Sequence, residues 1–485
     1  MIGIPTAIPF ILQGIANAMC CKSHENVVQS KQRKADIARG YIMIISVRIE
    51  NYLVYSSSVD FSLLADKRIR RFGGSVADVG GFSVLKAACV YGANNVGKSC
   101  TIRAIDTIKN ALSGKETKIV PNIFSGDSAV SLGISFTVGE KAYSFDFTYD
   151  ESADNSAPRG FIRERLLLLD NKNGRYGETE LYSFDAENGE LKIATENGET
   201  VGTKNGEATE TERAKSFKVE IPATETQTEN EQTERKILHI FSLSKKFGEL
   251  KKYCDILESF SESVEWLDMT TISLKKTVAE LKNGGKRAKL INEFLKNADL
   301  EIEEIFYDDS EKNSPISPKM PIYDGVAPED VPRLYTMRRG VKVRSDVYDS
   351  SGTKKIIAAA SYFVEALSEG KTLVIDELDS GLHFKLTRAV VALFNNPLCE
   401  RAQLIFTTHD VTLLDCKNLF RKDQIWFAAK DADGEYLYSL DDFDDCGSAP
   451  DIKTLYDKYK AGMLGALPEP NLVSVILKGG EEDDE

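Results

Sequence analysis

The residues Gly92, Ala93, Asn94, Asn95, Val96, Gly97, Lys98 and Ser99 follow the pattern G-x-x-x-x-G-K-[ST]. No other stretch of the chain restricts its fold as tightly. The pattern works only between a strand and a helix, because its glycines let backbone N–H groups wrap an anion at a helix N-terminus. Both flanks meet that demand. Ala87–Tyr91 reads as a short buried strand, and Ile102, Ile105, Ile108 and Leu112 recur at helical spacing. The loop predicts binding of a nucleoside triphosphate, with Lys98 as a point charge on the phosphates and the Ser99 hydroxyl as a ligand for Mg²⁺.

A second pair of acids belongs to the same chemistry. The apolar run Thr372–Ile375 ends in Asp376 and Glu377, as a strand buried on both faces of a parallel sheet would. Asp376 is expected to hold Mg²⁺ through its water shell, since this ion keeps several waters and takes few carboxylates. Glu377 is then placed to polarise the attacking water. A further apolar strand, Leu404–Thr407, runs through Thr408 into His409. A neutral imidazole at such a strand end can hydrogen-bond a γ-phosphate oxygen.

These motifs together resemble a known group. Gly-x-Asn-Asn-x-Gly-Lys-Ser, Asp-Glu-x-Asp-x-x-Leu-His and Thr-Thr-His are similar to the ABC-type ATPase clade that includes SMC and RecF-like proteins. The likeness is strongest to AAA-type ATP-binding proteins of bacterial anti-phage and abortive-infection loci. It covers 43–165 and 331–470, and two further segments carry it. Asp349-Ser-Ser-Gly-Thr353 resembles the group's signature, and Tyr459-Lys-Ala-Gly-Met-Leu-Gly-Ala-Leu-Pro468 its C-terminal ending.

The resemblance implies an α/β fold of the ABC-type P-loop NTPase head, a mixed sheet flanked by helices, with an antiparallel β subdomain and a helical insertion. It also implies that Ser350 and Gly352 of one copy close over ATP and Mg²⁺ held by another, so that two nucleotides are sandwiched in a homodimer or higher homo-oligomer. Three departures point to slow turnover. The signature lacks Leu-Ser-Gly-Gly-Gln, His383 replaces the D-loop aspartate, and Cys100 stands at the end of the loop where a hydroxyl common in the group would reach the α-phosphate.

The remaining sequence narrows the function. With 485 residues and a net charge of −14, the chain is too long for one core and too acidic to embrace nucleic acid over its whole surface. A local DNA contact stays open through two basic clusters, Lys67, Arg68, Arg70 and Arg71, and Arg333, Arg338, Arg339, Lys342 and Arg344. Eight cysteines without paired C-x-x-C spacing read as reduced thiols in a cytoplasmic protein. No apolar run reaches the roughly 20 residues of a spanning helix, so no membrane partner is expected.

Five parts are expected: an extension over 1–42, an N-terminal ATPase lobe over 43–170, a polar insertion over 171–235, a helical insertion over 236–330 and a C-terminal ATPase lobe over 331–485. The function these features imply is a nucleotide-switched ATPase regulating a separate effector protein in anti-phage defence. The alternatives are a DNA-repair ATPase of RecF or SMC type and the ATPase head of a nuclease of the overcoming-lysogenization-defect family. Against the last, only 76 residues follow His409 (485 − 409), too few for a further metal-binding domain of roughly 100.

Overall fold

The computed structural model describes residues 41–150, 160–172, 175–194, 214–218, 236–298, 300–310, 321–443 and 452–464. The expected extension before Tyr41, the acidic tail and the ending beyond Leu464 lie outside them.

The first lobe opens with β1 (Ile44–Glu50), β2 (Val59–Ser62), β3 (Val76–Val79), β4 (Phe82–Leu85), β5 (Ala87–Tyr91) and α1 (Lys98–Leu112). There follow β6 (Ala129–Val138), β7 (Lys141–Asp150), β8 (Gly160–Lys172), β9 (Arg175–Asp185), β10 (Glu190–Ala194) and β11 (Ala214–Lys218). Eight of these strands form one antiparallel sheet in the order β11-β10-β9-β8-β7-β6-β1-β2. The hairpin between β6 and β7 turns at Gly139, in the left-handed region at φ 57°. Within the polar stretch 171–235, β9, β10 and β11 extend this sheet.

The second half contains α2 (His239–Leu243), α3 (Lys251–Ser263), β12 (Val264–Asp268), α4 (Lys275–Asn283), α5 (Gly285–Lys296), β13 (Glu304–Tyr307), β14 (Leu334–Arg338) and β15 (Val341–Arg344). After these come α6 (Ser345–Tyr348), α7 (Ser351–Glu369), β16 (Thr372–Asp376), α8 (Phe384–Phe394), β17 (Gln403–Thr407), β18 (Ile425–Lys430), β19 (Glu435–Ser439) and α9 (Ile452–Lys460). A six-stranded sheet runs β12-β16-β17-β5-β18-β19, parallel except for the last pair. Strands β5, β16 and β17 are buried along their whole lengths, which is why each reads as a continuous apolar run.

Alternate residues of these strands serve two cores. Ala88, Val90, Val374 and Ile405 join the antiparallel sheet, α1 and α3 on one side. Ala87, Cys89, Tyr91, Ile375 and Phe406 join α4, α5, α7 and α8 on the other. The period-two alternation of strand side chains makes one sheet the shared wall of both.

Two elements differ from the sequence reading. The stretch 236–330, read as a helical insertion, also supplies β12 to the parallel sheet and β13 to a small antiparallel one. Its helices divide between the two cores and do not pack only on one another. The apolar stretch Gln424–Ala428 and the stretch Glu435–Leu440 both read from the sequence as edge strands; β18 lies inside the sheet beside β5, and β19 forms the edge.

Candidate nucleotide site

The parallel order brings the carboxyl ends of β5, β17 and β16 to one edge of the sheet, with Val90 opposite Thr407 and Phe406 opposite Ile375. In open α/β sheets this edge is where ligands bind. The phosphate loop leaves β5 and enters α1 through Gly97, whose φ is 106°. A side chain there would also collide with Tyr55, since a Cβ would stand 2.5 Å from its hydroxyl oxygen. The buried Tyr55 hydroxyl donates to Gly97 O at 3.1 Å and pairs with Thr101 Oγ1 at 2.8 Å, holding the loop from below. Because no side chain caps α1, its first N–H groups are left for an anion.

Lys98 is 7% exposed, and its ammonium donates to Ala93 O at 2.6 Å. Burial pushes its pKa below the ordinary lysine value, against the pull of Asp376, Glu377 and Asp379. A desolvated cation among three carboxylates is poised for a phosphate, which would add negative charge where the cation is least hydrated. Burial raises the pKa of the Cys100 thiol. It therefore stays a neutral thiol beside the loop.

The acids assemble as expected and bring Thr407 with them. Ser99 Oγ donates to Asp376 Oδ1 at 3.0 Å. The Thr407 hydroxyl donates to the same oxygen at 2.5 Å and accepts the Glu377 N–H at 2.8 Å. Glu377 sits in the left-handed region at φ 52°, a conformation that costs a non-glycine residue roughly 1–2 kcal/mol and that its surroundings must hold. A serine hydroxyl and one carboxylate are hard oxygen donors that suit Mg²⁺ completed by phosphate oxygens and water. Among the described residues no cluster of three or more His, Cys, Asp or Glu side chains could hold a metal.

His409 lies at the end of the neighbouring strand, its N–H donating to Asp379 Oδ1 at 3.3 Å. Partial burial of the ring, and then the charge of Lys98, hold its pKa below the ordinary imidazole value, with Asp379, Glu377 and Asp376 pulling upward. His409 is thus neutral at neutral pH and charges only when the pH falls below that value. If it contacts the γ-phosphate, kcat/KM for ATP should stay flat across the neutral range. Any acid limb due to His409 should lie below the ordinary imidazole pKa. A pH–rate profile checks this, and its comparison with His409→Ala assigns the limb.

The signature residues pack at the start of α7 and against the turn after Glu377. Ser350 caps α7 by accepting the Thr353 N–H at 3.1 Å, a bond worth about 1 kcal/mol. Gly352 abuts the turn after Glu377 so closely that a Cβ would lie 2.4 Å from Gly381 O. Lys355 Nζ donates to Ser380 Oγ at 3.1 Å. Among the described residues neither Ser350 nor Gly352 hydrogen-bonds the phosphate loop. Asp349, just upstream, is buried and accepts from Arg338 Nη2 and Ser345 Oγ, both at 2.6 Å.

Thr407, Tyr55 and Asp379 also belong to the site, with no role assigned to them from the sequence. Thr407 and Asp379 lie within the Thr-Thr-His and Asp-Glu-x-Asp-x-x-Leu-His motifs, whereas no motif marks Tyr55. The basic cluster before the signature is an internal ion-pair set. Arg338, Arg339, Lys342 and Arg344 pair with Asp349, Glu301, Asp308 and Asp346, and Arg333 bonds the Tyr307 hydroxyl. An open trough of about 630 Å³ lies elsewhere, on the antiparallel sheet between Arg48, Gly133, Asp146 and Arg165.

A phosphate loop and an acid-ended strand, with a further parallel strand between them, define a P-loop ATPase domain. The family model described as "AAA domain, putative AbiEii toxin, Type IV TA system" matches residues 87–415, and the chain belongs to that family. No curated protein matches the sequence. Among solved structures, the chain is similar to the SMC head domain from Thermotoga maritima, with 11% identity, 82% of this chain and 98% of that one covered, and a TM-score of 0.36. It is also similar to an SmcHead bound to the C-winged helix domain of ScpA, with 12% identity, coverage of 82% and 97%, and a TM-score of 0.39. No helix among the described residues is long and apolar enough to cross a membrane.

Proposed function

We propose that this protein is a Mg²⁺-dependent ATPase whose copies close in pairs around ATP and so switch a separate effector in the cytoplasm. The observation that carries this reading is the convergence of Lys98, Ser99, Asp376, Glu377 and His409 at one sheet edge, with Asp376 bonded directly to Ser99. Lys98 and the free N–H groups of α1 bind and orient the triphosphate. Ser99 and Asp376 supply the oxygens for Mg²⁺, which neutralises phosphate charge when bound. Glu377 takes the proton of the attacking water, and His409 donates a hydrogen bond to the γ-phosphate.

The placement of the signature supports the pairing of copies. Among the described residues Ser350 is engaged as a helix cap and Gly352 abuts Gly381, and neither bonds the phosphate loop of its own chain, so the phosphate contact proposed for them is assigned to a second copy. Closure is then favoured by ATP and lost when the γ-phosphate leaves. The family's description by a toxin of a Type IV TA system accords with a role beside an effector in anti-phage defence.

Light scattering on Glu377→Gln tests the switch. Its mass is expected to double on addition of Mg·ATP and to stay that of one chain without it. A mass indifferent to nucleotide would end the proposal of an ATP-closed pair.

A further inference from the structure

The two threonines before His409 are both fully buried, and they do different work. Thr408 Oγ1 accepts the Asp410 N–H at 3.0 Å and so shapes the chain after the histidine. Thr407 faces the acids. A hydroxyl has one proton, and here its direction is settled by the partners. The Glu377 N–H can only donate, so the proton of Thr407 goes to Asp376 Oδ1. One side chain of β17 therefore fixes a carboxylate of β16 and the backbone of the next residue.

That next residue is the one held at φ 52°. Three further bonds keep the turn in place: Leu378 N–H to Thr407 O at 3.1 Å, Ser380 N–H to Glu377 O at 2.8 Å, and His409 N–H to Asp379 Oδ1 at 3.3 Å. Among the described residues only the Thr407 hydroxyl engages both acids at once. Its loss takes from the partly buried Glu377 N–H its side-chain partner, and a left-handed residue without its restraint can relax toward commoner conformations.

We propose that Thr407 is a positioning residue for hydrolysis: its hydroxyl sets the angle at which Glu377 leaves the strand and the rotamer in which Asp376 is presented. This rests on the reading of Glu377 as the base that activates water. ATP binding should depend little on it, because Lys98 and the loop hold the phosphates independently.

The test compares Thr407→Val, which keeps the branched shape without the hydroxyl, with Thr407→Ser, which keeps the hydroxyl without the methyl. ATP turnover and Mg·ATP affinity are measured on the full chain beside wild type and Glu377→Gln. Thr407→Val should lose about 10- to 100-fold in kcat, the scale on which a slightly misplaced catalytic group costs rate, with affinity within about threefold of wild type. Thr407→Ser should recover kcat to within about threefold of wild type. Wild-type turnover in Thr407→Val would overturn the proposal. So would a loss in Thr407→Ser as deep as in Thr407→Val, or a loss confined to affinity, since each points to packing. Wild-type turnover no faster than Glu377→Gln is a separate result: the base assignment itself would fall, and the role of Thr407 with it.

Discussion

Lys98→Ala is expected to weaken Mg·ATP binding about 100-fold or more. The side chain is nearly buried, its ammonium lies within reach of the loop carbonyl of Ala93, and three carboxylates surround it. A charge-assisted bond of this kind is worth about 1.5–3 kcal/mol, and each 1.4 kcal/mol is tenfold in affinity. Removing the cation also leaves the triphosphate facing Asp376, Glu377 and Asp379 without compensation, so the loss falls at the upper end. Titration calorimetry with Mg·ATP measures it. Unchanged affinity would move the triphosphate away from Gly92–Ser99 altogether.

Glu377→Gln should behave in the opposite way, binding Mg·ATP normally while turnover drops about 10²- to 10⁴-fold. Glutamine keeps the shape and can hold the same left-handed backbone, but its amide cannot take a proton from water. The Thr407 bond to the backbone N–H of residue 377 survives the change, so the geometry of the turn is preserved and only the chemistry is removed. Steady-state phosphate release measures the difference. Equal rates for wild type and Glu377→Gln would assign the proton to another group.

The parts of this site that could be read from the sequence are those whose chemistry is local. A glycine loop between a strand and a helix, acids closing an apolar run and a histidine closing the next are each contained in about ten residues. Gly370, left-handed at φ 74°, ended α7 as a glycine stop should. What escaped depended on distant partners. Strand β12 was hidden because α3 runs straight into it, with no glycine or proline between Ser263 and Val264, and its register is set against Thr372–Asp376. The basic cluster looked available because its carboxylates, Glu301, Asp308, Asp346 and Asp349, are brought to it by the β13–β15 sheet and α6. Thr407 is an ordinary strand residue until β16 is laid beside it.

Strand β12 also changes what can act on the acids. It ends level with them, Asp268 in register with Asp376, and the Met269 N–H bonds the Asp376 carbonyl at 3.0 Å. On either side of it lie α3, rooted in one core, and α4, rooted in the other. The two cores are thus joined, through one row of backbone hydrogen bonds, to the strand that carries Asp376.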